Sequence, residues 1–230
     1  MELTPRLRAI ADMVPHGACF ADIGTDHAYL PTWLLLNGVI DCAIAADLRE
    51  GPLERARETA KKHSVEDKMD FRLCDGLTAV REGEVNAIAI AGMGGDTIAR
   101  ILSQAPWTKN PDITLFLQPM TSQPDLRQWL FENGYCIENE RIVREGEKLY
   151  TVFRVKAGTM DELSPAELWA GRQNAELLRG AFLDHVIGKV NRALDGQRKA
   201  AHPNEDEIER LERVSAGLKT MKEEWSTWQP

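Results

Sequence analysis

The sequence predicts an α/β fold, a doubly wound and mostly parallel sheet closed by an antiparallel hairpin and followed by a helical coiled-coil hairpin. Three observations carry this. Strand and helix patterns alternate from the start of the chain to about residue 133, which builds a parallel sheet with helices on its faces. The runs CAIAA and AIAIA are continuous and apolar, as in parallel strands covered on both sides. Beyond Gly158 the apolar spacing turns purely helical.

Each element has its own signal. Thr4 and Pro5 suit the N-cap and first position of a short helix, which Pro15, His16 and Gly17 stop. Strands are expected at 18–23, 42–48, 69–74, 85–90 and 113–117. Helices are expected at 28–36, 52–63, 96–103 and 122–133, the last ended by Gly134. Segments 136–144 and 148–155 flank Glu145, Gly146 and Glu147 and read as an antiparallel hairpin. Ser164, Pro165 and Glu167 form a capping box opening a helix that can run to about residue 201, with Leu178, Phe182, Val186, Val190 and Ala193 on one stripe. Pro203 breaks it. Leu211, Val214, Leu218, Met221, Trp225 and Trp228 then alternate three and four apart, a heptad seam. The division expected is a catalytic domain at 1–157 and an antiparallel coiled-coil domain at 158–230.

Composition narrows the function. The 230 residues are 43% hydrophobic and carry a net charge of −8, which argues against a generally basic nucleic-acid coat. Cys19, Cys42, Cys74 and Cys136 lie far apart without CxxC spacing. They read as reduced core residues, and no metal site is expected. No apolar run nears the roughly 18 residues of a membrane span, and the first residues lack a signal-peptide pattern. A cytoplasmic protein is expected. The oligomeric state is not fixed by sequence, with a monomer as the starting expectation.

The stretch FADIGTDHAYLP runs an apolar strand into a turn with Gly24 and two carboxylates, Asp22 and Asp26. A phosphate-binding turn avoids negative charge, and the three glycines of a dinucleotide motif are absent. Either carboxylate alone could simply cap the next helix. However, ligands of open α/β sheets bind beyond the carboxyl ends of the strands, and other acids are expected at that edge. Asp47 lies 23 residues after Gly24, where it would accept the hydroxyls of a ribose. Asp75, beside Gly76, could accept the amine of an adenine, and the flexible run from Ala91 through Gly92 and Met93 to Gly95 allows close backbone approach. An adenosine with a cationic end and no phosphate fits this set. S-adenosylmethionine is such a molecule.

ADIGTDHAYLP, REGP at 49–52, DGL at 75–77, IAGMGG at 90–95 and LQP at 117–119 together resemble the bacterial tRNA methyltransferases that modify N1 of adenine 22. The resemblance spans essentially the whole chain. It implies a class I methyltransferase sheet, S-adenosylmethionine as donor and a helical C-terminal domain that helps hold tRNA. Where the family has Asn after the LQP, this chain has Met120, a polarisable side chain able to pack on a base.

Adenine N1 already carries a lone pair, so methylation needs placement more than a base. Accordingly, the fourth strand ends without a carboxylate. The carbonyls of Ala91, Gly92 or Met93 could accept from N6, Gln118 could orient the ring, and His27 and Tyr29 could contact base or donor. Phosphate contacts need cations. Residues 165–202 hold six Lys and Arg against four Asp and Glu, whereas 203–230 hold four against seven. Arg172, Arg179, Lys189, Arg192, Arg198 and Lys199 are therefore the RNA-contact candidates, with Arg6 and Arg8 on the first helix. A small-molecule or protein acceptor, and a non-catalytic RNA-binding protein, are the competing readings.

Overall fold

The computed structural model describes residues 1–172 and 176–227. Helix α1 (Pro5–Ala11) leads into β1 (Ala18–Ile23), α2 (Tyr29–Leu36), β2 (Ile40–Asp47), α3 (Glu50–Lys62) and β3 (Met69–Leu73). β4 (Ala87–Gly94), α4 (Gly95–Ser103), β5 (Thr114–Thr121) and α5 (Gln123–Glu132) follow, then β6 (Tyr135–Glu145) and β7 (Lys148–Ala157). The seven strands form one sheet in the order β3-β2-β1-β4-β5-β7-β6. The first five in that order are parallel, while β7 is antiparallel to both β5 and β6. This is the class I methyltransferase sheet expected from the sequence.

The apolar runs explain the layers. Successive side chains of a strand point to opposite faces, so in β4 Ala87 and Ala89 face a core with Ile10, Leu34 and Ala56 from α1–α3. Ile88 and Ile90 face the other core, with Ile98 and Ile101 of α4 and Leu126 and Leu130 of α5. Burying one such Ile or Leu is worth about 1.5–3 kcal/mol, so a charge at Ile88 or Ile90 would cost one face its support. Register sets the common edge: Ile23 pairs with Ala46 on one side and Ile90 on the other. β1 and β2 end within one residue of this level, while β4 runs on along β5 to Gly94, and the candidate site forms at that edge.

The helical part departs from expectation at one point. The capping box of Ser164 and Glu167 is present, but α6 (Pro165–Ala170) stops at Gly171 instead of continuing to residue 201. α7 (Arg179–Arg198) and α8 (Glu205–Thr227) then form the hairpin. The break has a non-local cause. Arg127 Nη1 donates to the Leu168 carbonyl at 2.7 Å, and Arg179 donates to the carbonyls of Ala170 and Gly171. The Glu140 carboxylate, held by Arg127 at 2.8 Å, lies where any side chain at Gly171 would collide with it. Only glycine fits there, at a positive φ (+69°) with extended ψ (174°), a backbone region essentially restricted to glycine, and the helix ends.

Along the hairpin Phe182, Val186, Val190 and Leu194 pack against Leu211, Val214 and Leu218, with Met221 and Trp225 at the margin. Ala193, expected on this stripe, is exposed, and Leu178 precedes the helix. Trp228 lies outside the described residues. Ile142 and Leu149 of the sheet join this core, which seats the helices on the β6–β7 hairpin. Among the cysteines, Cys42 is exposed, a correction to the expectation of four core thiols, with its Sγ 3.4 Å from that of Cys19 on the adjoining strand.

Candidate functional site

β1 ends at Ile23 and the chain turns through Gly24, whose φ is +76°. The N–H groups of Gly24 and Thr25 both donate to the Ala46 carbonyl, at 2.8 and 3.0 Å, tying the turn to β2. Asp26 (φ +45°) and Ala28 (φ +51°) are also left-handed. Such conformations cost about 1 kcal/mol or more each and concentrate at functional sites. An added side chain at Gly24 would also collide with the Met93 side chain of β4.

Asp22 is buried beside this turn and accepts a 2.6 Å hydrogen bond from the Thr25 hydroxyl. Burial pushes its carboxyl up to about 6, opposed by the Thr25 bond and reinforced by the Asp47 charge. A cation brought beside a buried carboxylate of this kind offsets the cost of its burial. Asp47, at the end of β2, accepts from the Arg49 N–H at 2.9 Å. Asp75 receives both arms of Arg100 at 3.0 Å, and that guanidinium holds its carboxyl below the usual range. Gly76 is buried against Ile101. Asp26 is turned to Arg55 at 2.6 Å, with His27 Nε2 at 3.7 Å.

Asp22, Gly24, Asp26, His27, Tyr29, Ala91 and Gly92 line one cavity of about 400 Å³, together with Thr4, Arg6 and Thr25. The His27 and Tyr29 rings are stacked, 5.0 Å apart and nearly parallel, and Tyr29 is 45% exposed. Asp47 and Asp75 lie outside this lining, next to two exposed apolar side chains at the same sheet edge, Leu48 (64%) and Leu73 (56%). Exposed leucines beside carboxylates offer apolar area for a heterocycle and acceptors for its polar edge.

Gln118 is fully buried. Its Oε1 accepts from Gly92 N and from Arg6 Nη1, both at 3.1 Å, and its Nε2 donates to the Pro119 carbonyl. It therefore fixes the bulge between β4 and β5, where Ala91 pairs with Gln118 and Met93 with Pro119. Arg6 is likewise committed, to Glu145 at 3.0 Å and over the Tyr150 ring at 4.8 Å, with its Nη1 3.6 Å from Met120 Sδ. Sequence placed Arg6 among the phosphate contacts; the structure places it in the cavity wall. Neither Arg6 nor Thr25 carried a clear sequence signal, since their partners are distant in the chain or minor members of a turn.

The RNA candidates separate. Arg179 is corrected: it is 1% exposed, its hydrogen bonds go to the end of α6, and burial pulls its guanidinium down to about 10. A group so enclosed cannot reach a phosphate. Arg172 is bound to Glu167 at 2.7 Å and to the carbonyls of Asp161 and Glu162. Arg8 pairs with Asp12 at 2.7 Å and Arg198 with Glu212 at 2.5 Å. Lys189, Arg192 and Lys199 are exposed, Lys189 standing 5.5 Å from the centre of the Trp169 ring. Among the described residues no group of His, Cys, Asp and Glu could hold a metal ion, and no helix is long and apolar enough to cross a membrane.

Comparison with known proteins agrees with this geometry. Residues 3–153 match the family model of a methyltransferase domain. The tRNA (adenine(22)-N(1))-methyltransferase of Bacillus subtilis is 38% identical over 161 residues, 70% of this chain and 68% of that protein. The crystal structure of the B. subtilis m1A22 tRNA methyltransferase TrmK superposes with a TM-score of 0.82 at 30% identity, covering 96% of this chain and 98% of that one. A Streptococcus pneumoniae structure in complex with S-adenosyl-L-methionine gives 0.80 at 34%, covering 93% and 100%. With the acidic turn, the sheet order and the helical hairpin all in place, this chain belongs to the methyltransferase domain family and, within it, to the family of the tRNA (adenine(22)-N(1))-methyltransferase.

Proposed function

We propose that the protein transfers a methyl group from S-adenosylmethionine to N1 of adenine 22 in tRNA, in the cytoplasm where tRNA is found. One observation carries the reading: a buried acid, Asp22, at a glycine turn opens into the same cavity as the Ala91–Gly92 backbone and the Tyr29 ring. The residues present fit the donor. Asp22 suits its ammonium group, Asp47 its ribose hydroxyls and Asp75 its adenine amine, with Leu48 and Leu73 as apolar flanks. The donor, when bound, supplies a sulfonium methyl, an electrophile that a neutral ring nitrogen can attack.

The remaining work is placement. Tyr29 and His27 present a stacked aromatic surface at the cavity mouth against which a base can lie. The Ala91 carbonyl can accept from N6 and so turn N1 inward. Gln118 acts one step back, by holding the Gly92 bulge and Arg6 in position. Met93, packed over Gly24, limits the open space beside the reacting atoms. No residue has to remove a proton from N1, because its lone pair is free. N1 lies on the Watson–Crick edge, so the adenine must leave its stack to react. The part of the chain from 158 to 230, with Lys189, Arg192 and Lys199 exposed on α7 and its cap, serves to hold the rest of the tRNA.

The test is methyl transfer from labelled S-adenosylmethionine to unmodified tRNA, followed by nucleoside analysis. Label in N1-methyladenosine, abolished by Asp22→Ala, is the expected outcome. Donor binding with no label in RNA would overturn the tRNA reading and leave a small-molecule or protein acceptor.

A further inference from the structure

We propose that the groove between the end of β5, the tip of the β6–β7 hairpin and helices α6 and α7 receives an unstacked nucleotide adjoining the target adenine. The proposal rests on the tRNA reading above and goes beyond it by naming a second nucleotide subsite. The groove measures about 320 Å³, within the range of sites that enclose small ligands. Its chemistry is specific. Trp169 and Tyr150 supply ring faces, and Phe182 and Val186 an apolar floor. Lys148, His185 and Lys189 are exposed around it, with Glu147 the one acid. On a chain of net charge −8 this is a local reversal of sign, and it surrounds an aromatic surface.

Rings beneath cations are what a single-stranded nucleotide requires: the base stacks on the ring and the phosphate meets the ammonium. Lys189 Nζ lies over the Trp169 ring, 5.5 Å from its centroid, so an entering base takes that face as the flexible ammonium swings out to the phosphate.

The groove also adjoins the catalytic cavity. Met120 lines the groove, and its Sδ lies 3.6 Å from Nη1 of Arg6, which lines the cavity. The Arg6 guanidinium lies over the Tyr150 ring, which the groove also includes. A single wall of Arg6, Met120 and Tyr150 therefore separates the two spaces. An RNA chain that delivers one base to the cavity passes this wall, and its neighbouring base has Trp169 on the other side. An uncharged protein segment would find less to bind, since its carbonyls and apolar side chains make little use of the two exposed ammonium groups, Lys148 and Lys189.

The experiment measures steady-state kinetics on a tRNA transcript bearing adenine 22, with Trp169→Ala, Trp169→Phe and Lys189→Gln. Trp169→Ala is expected to raise the tRNA KM about tenfold, the loss of one base–ring stack. kcat and S-adenosylhomocysteine affinity should stay unchanged, and Trp169→Phe should recover most of the loss. Lys189→Gln should lower the slope of log affinity against log salt by about one. Photo-crosslinking from 4-thiouridine placed beside the target should mark the Trp169 or His185 peptide. Wild-type KM and salt slope in the variants, while the wild-type protein labels tRNA, would overturn the groove alone. Equal loss of S-adenosylhomocysteine binding would make these residues merely structural and also overturn it. Failure of the wild-type protein to label tRNA would overturn the underlying reading and the groove with it.

Discussion

Asp22→Asn should stabilise the ligand-free protein while destroying its cofactor site. The Asp22 carboxyl rises from an ordinary 3.8 to about 6 because it is buried. At about 1.36 kcal/mol per pH unit, that rise corresponds to about 3 kcal/mol by which folding disfavours the ionised group at neutral pH. The sign follows from the direction. Above pH 6 the folded protein carries the ionised, penalised carboxylate. Below about pH 4 the group is protonated whether folded or unfolded, and the penalty is gone. Asparagine keeps a partner for the Thr25 hydroxyl and carries no charge. The variant should therefore melt about 6–12 °C higher at pH 8, by the scaling for a chain of this size, and the gap should close towards pH 4. The same change removes the anion proposed for the ammonium group and should weaken S-adenosylhomocysteine binding about 100-fold. In the wild-type protein that affinity should fall as pH drops below about 6. Thermal melts from pH 4 to 8 with calorimetric titration of S-adenosylhomocysteine measure both. An Asn variant no more stable than wild type at pH 8, or a gap that persists at pH 4, would refute the argument that a buried charge is responsible.

Gly24→Ala should cost about 1–2 kcal/mol for the left-handed backbone and, by displacing Met93, weaken S-adenosylhomocysteine binding at least tenfold; melting and titration report each separately. Glu140→Gln leaves the buried guanidiniums of Arg127 and Arg179 without their counter-charge and should lower unfolding free energy by about 3–5 kcal/mol, seen as an earlier urea midpoint. Arg100→Ala releases the exposed Asp75. Melting should be unchanged, because surface pairs add little stability, whereas S-adenosylhomocysteine affinity should fall roughly threefold.

What could be read from the chain was local, and what could not was carried by partners far apart in sequence. β1 runs over the expected residues because ACFADI is apolar and ends at a glycine. β4 and β5 were expected to end at Ile90 and Leu117 but continue to Gly94 and Thr121. Glycines and a proline read as loop, while in the structure they still pair across a bulge, Met93 with Pro119 and Gly94 with Thr121. The long helix from 165 failed for a similar reason. Nothing near Gly171 announces that Glu140 and Arg127, tens of residues earlier, occupy its surroundings. Asp22, Gly24, His27, Tyr29, Ala91 and Gly92 were legible as a set because strand ends in a parallel sheet share one edge. Gln118 and Arg6 were misplaced because their roles depend on Gly92 and Glu145, contacts that no spacing rule supplies.

The pairing of arginines bears on how an acidic protein holds a polyanion. Arg6, Arg8, Arg55, Arg72, Arg100, Arg127, Arg172, Arg198 and Arg210 each contact a carboxylate within 3.0 Å. A guanidinium so engaged gives up one anion to gain another, and the exchange adds little affinity. On the proposed reading the phosphate contacts near the groove are Lys148, Lys189, Arg192 and Lys199, all exposed around it, on α7 and at its cap. Four contacts at about 0.9 released counterions each give a slope of log affinity against log salt of about −3 to −4. Fluorescence anisotropy with labelled tRNA from 50 to 300 mM KCl measures it. A much steeper slope would mean that the arginines abandon their carboxylates when tRNA arrives, and that the charge pattern of the free protein is not the one the RNA meets. A slope near the expected value would instead make shape and stacking, at Tyr29 and Trp169, the larger part of recognition, because so few charges cannot supply it alone.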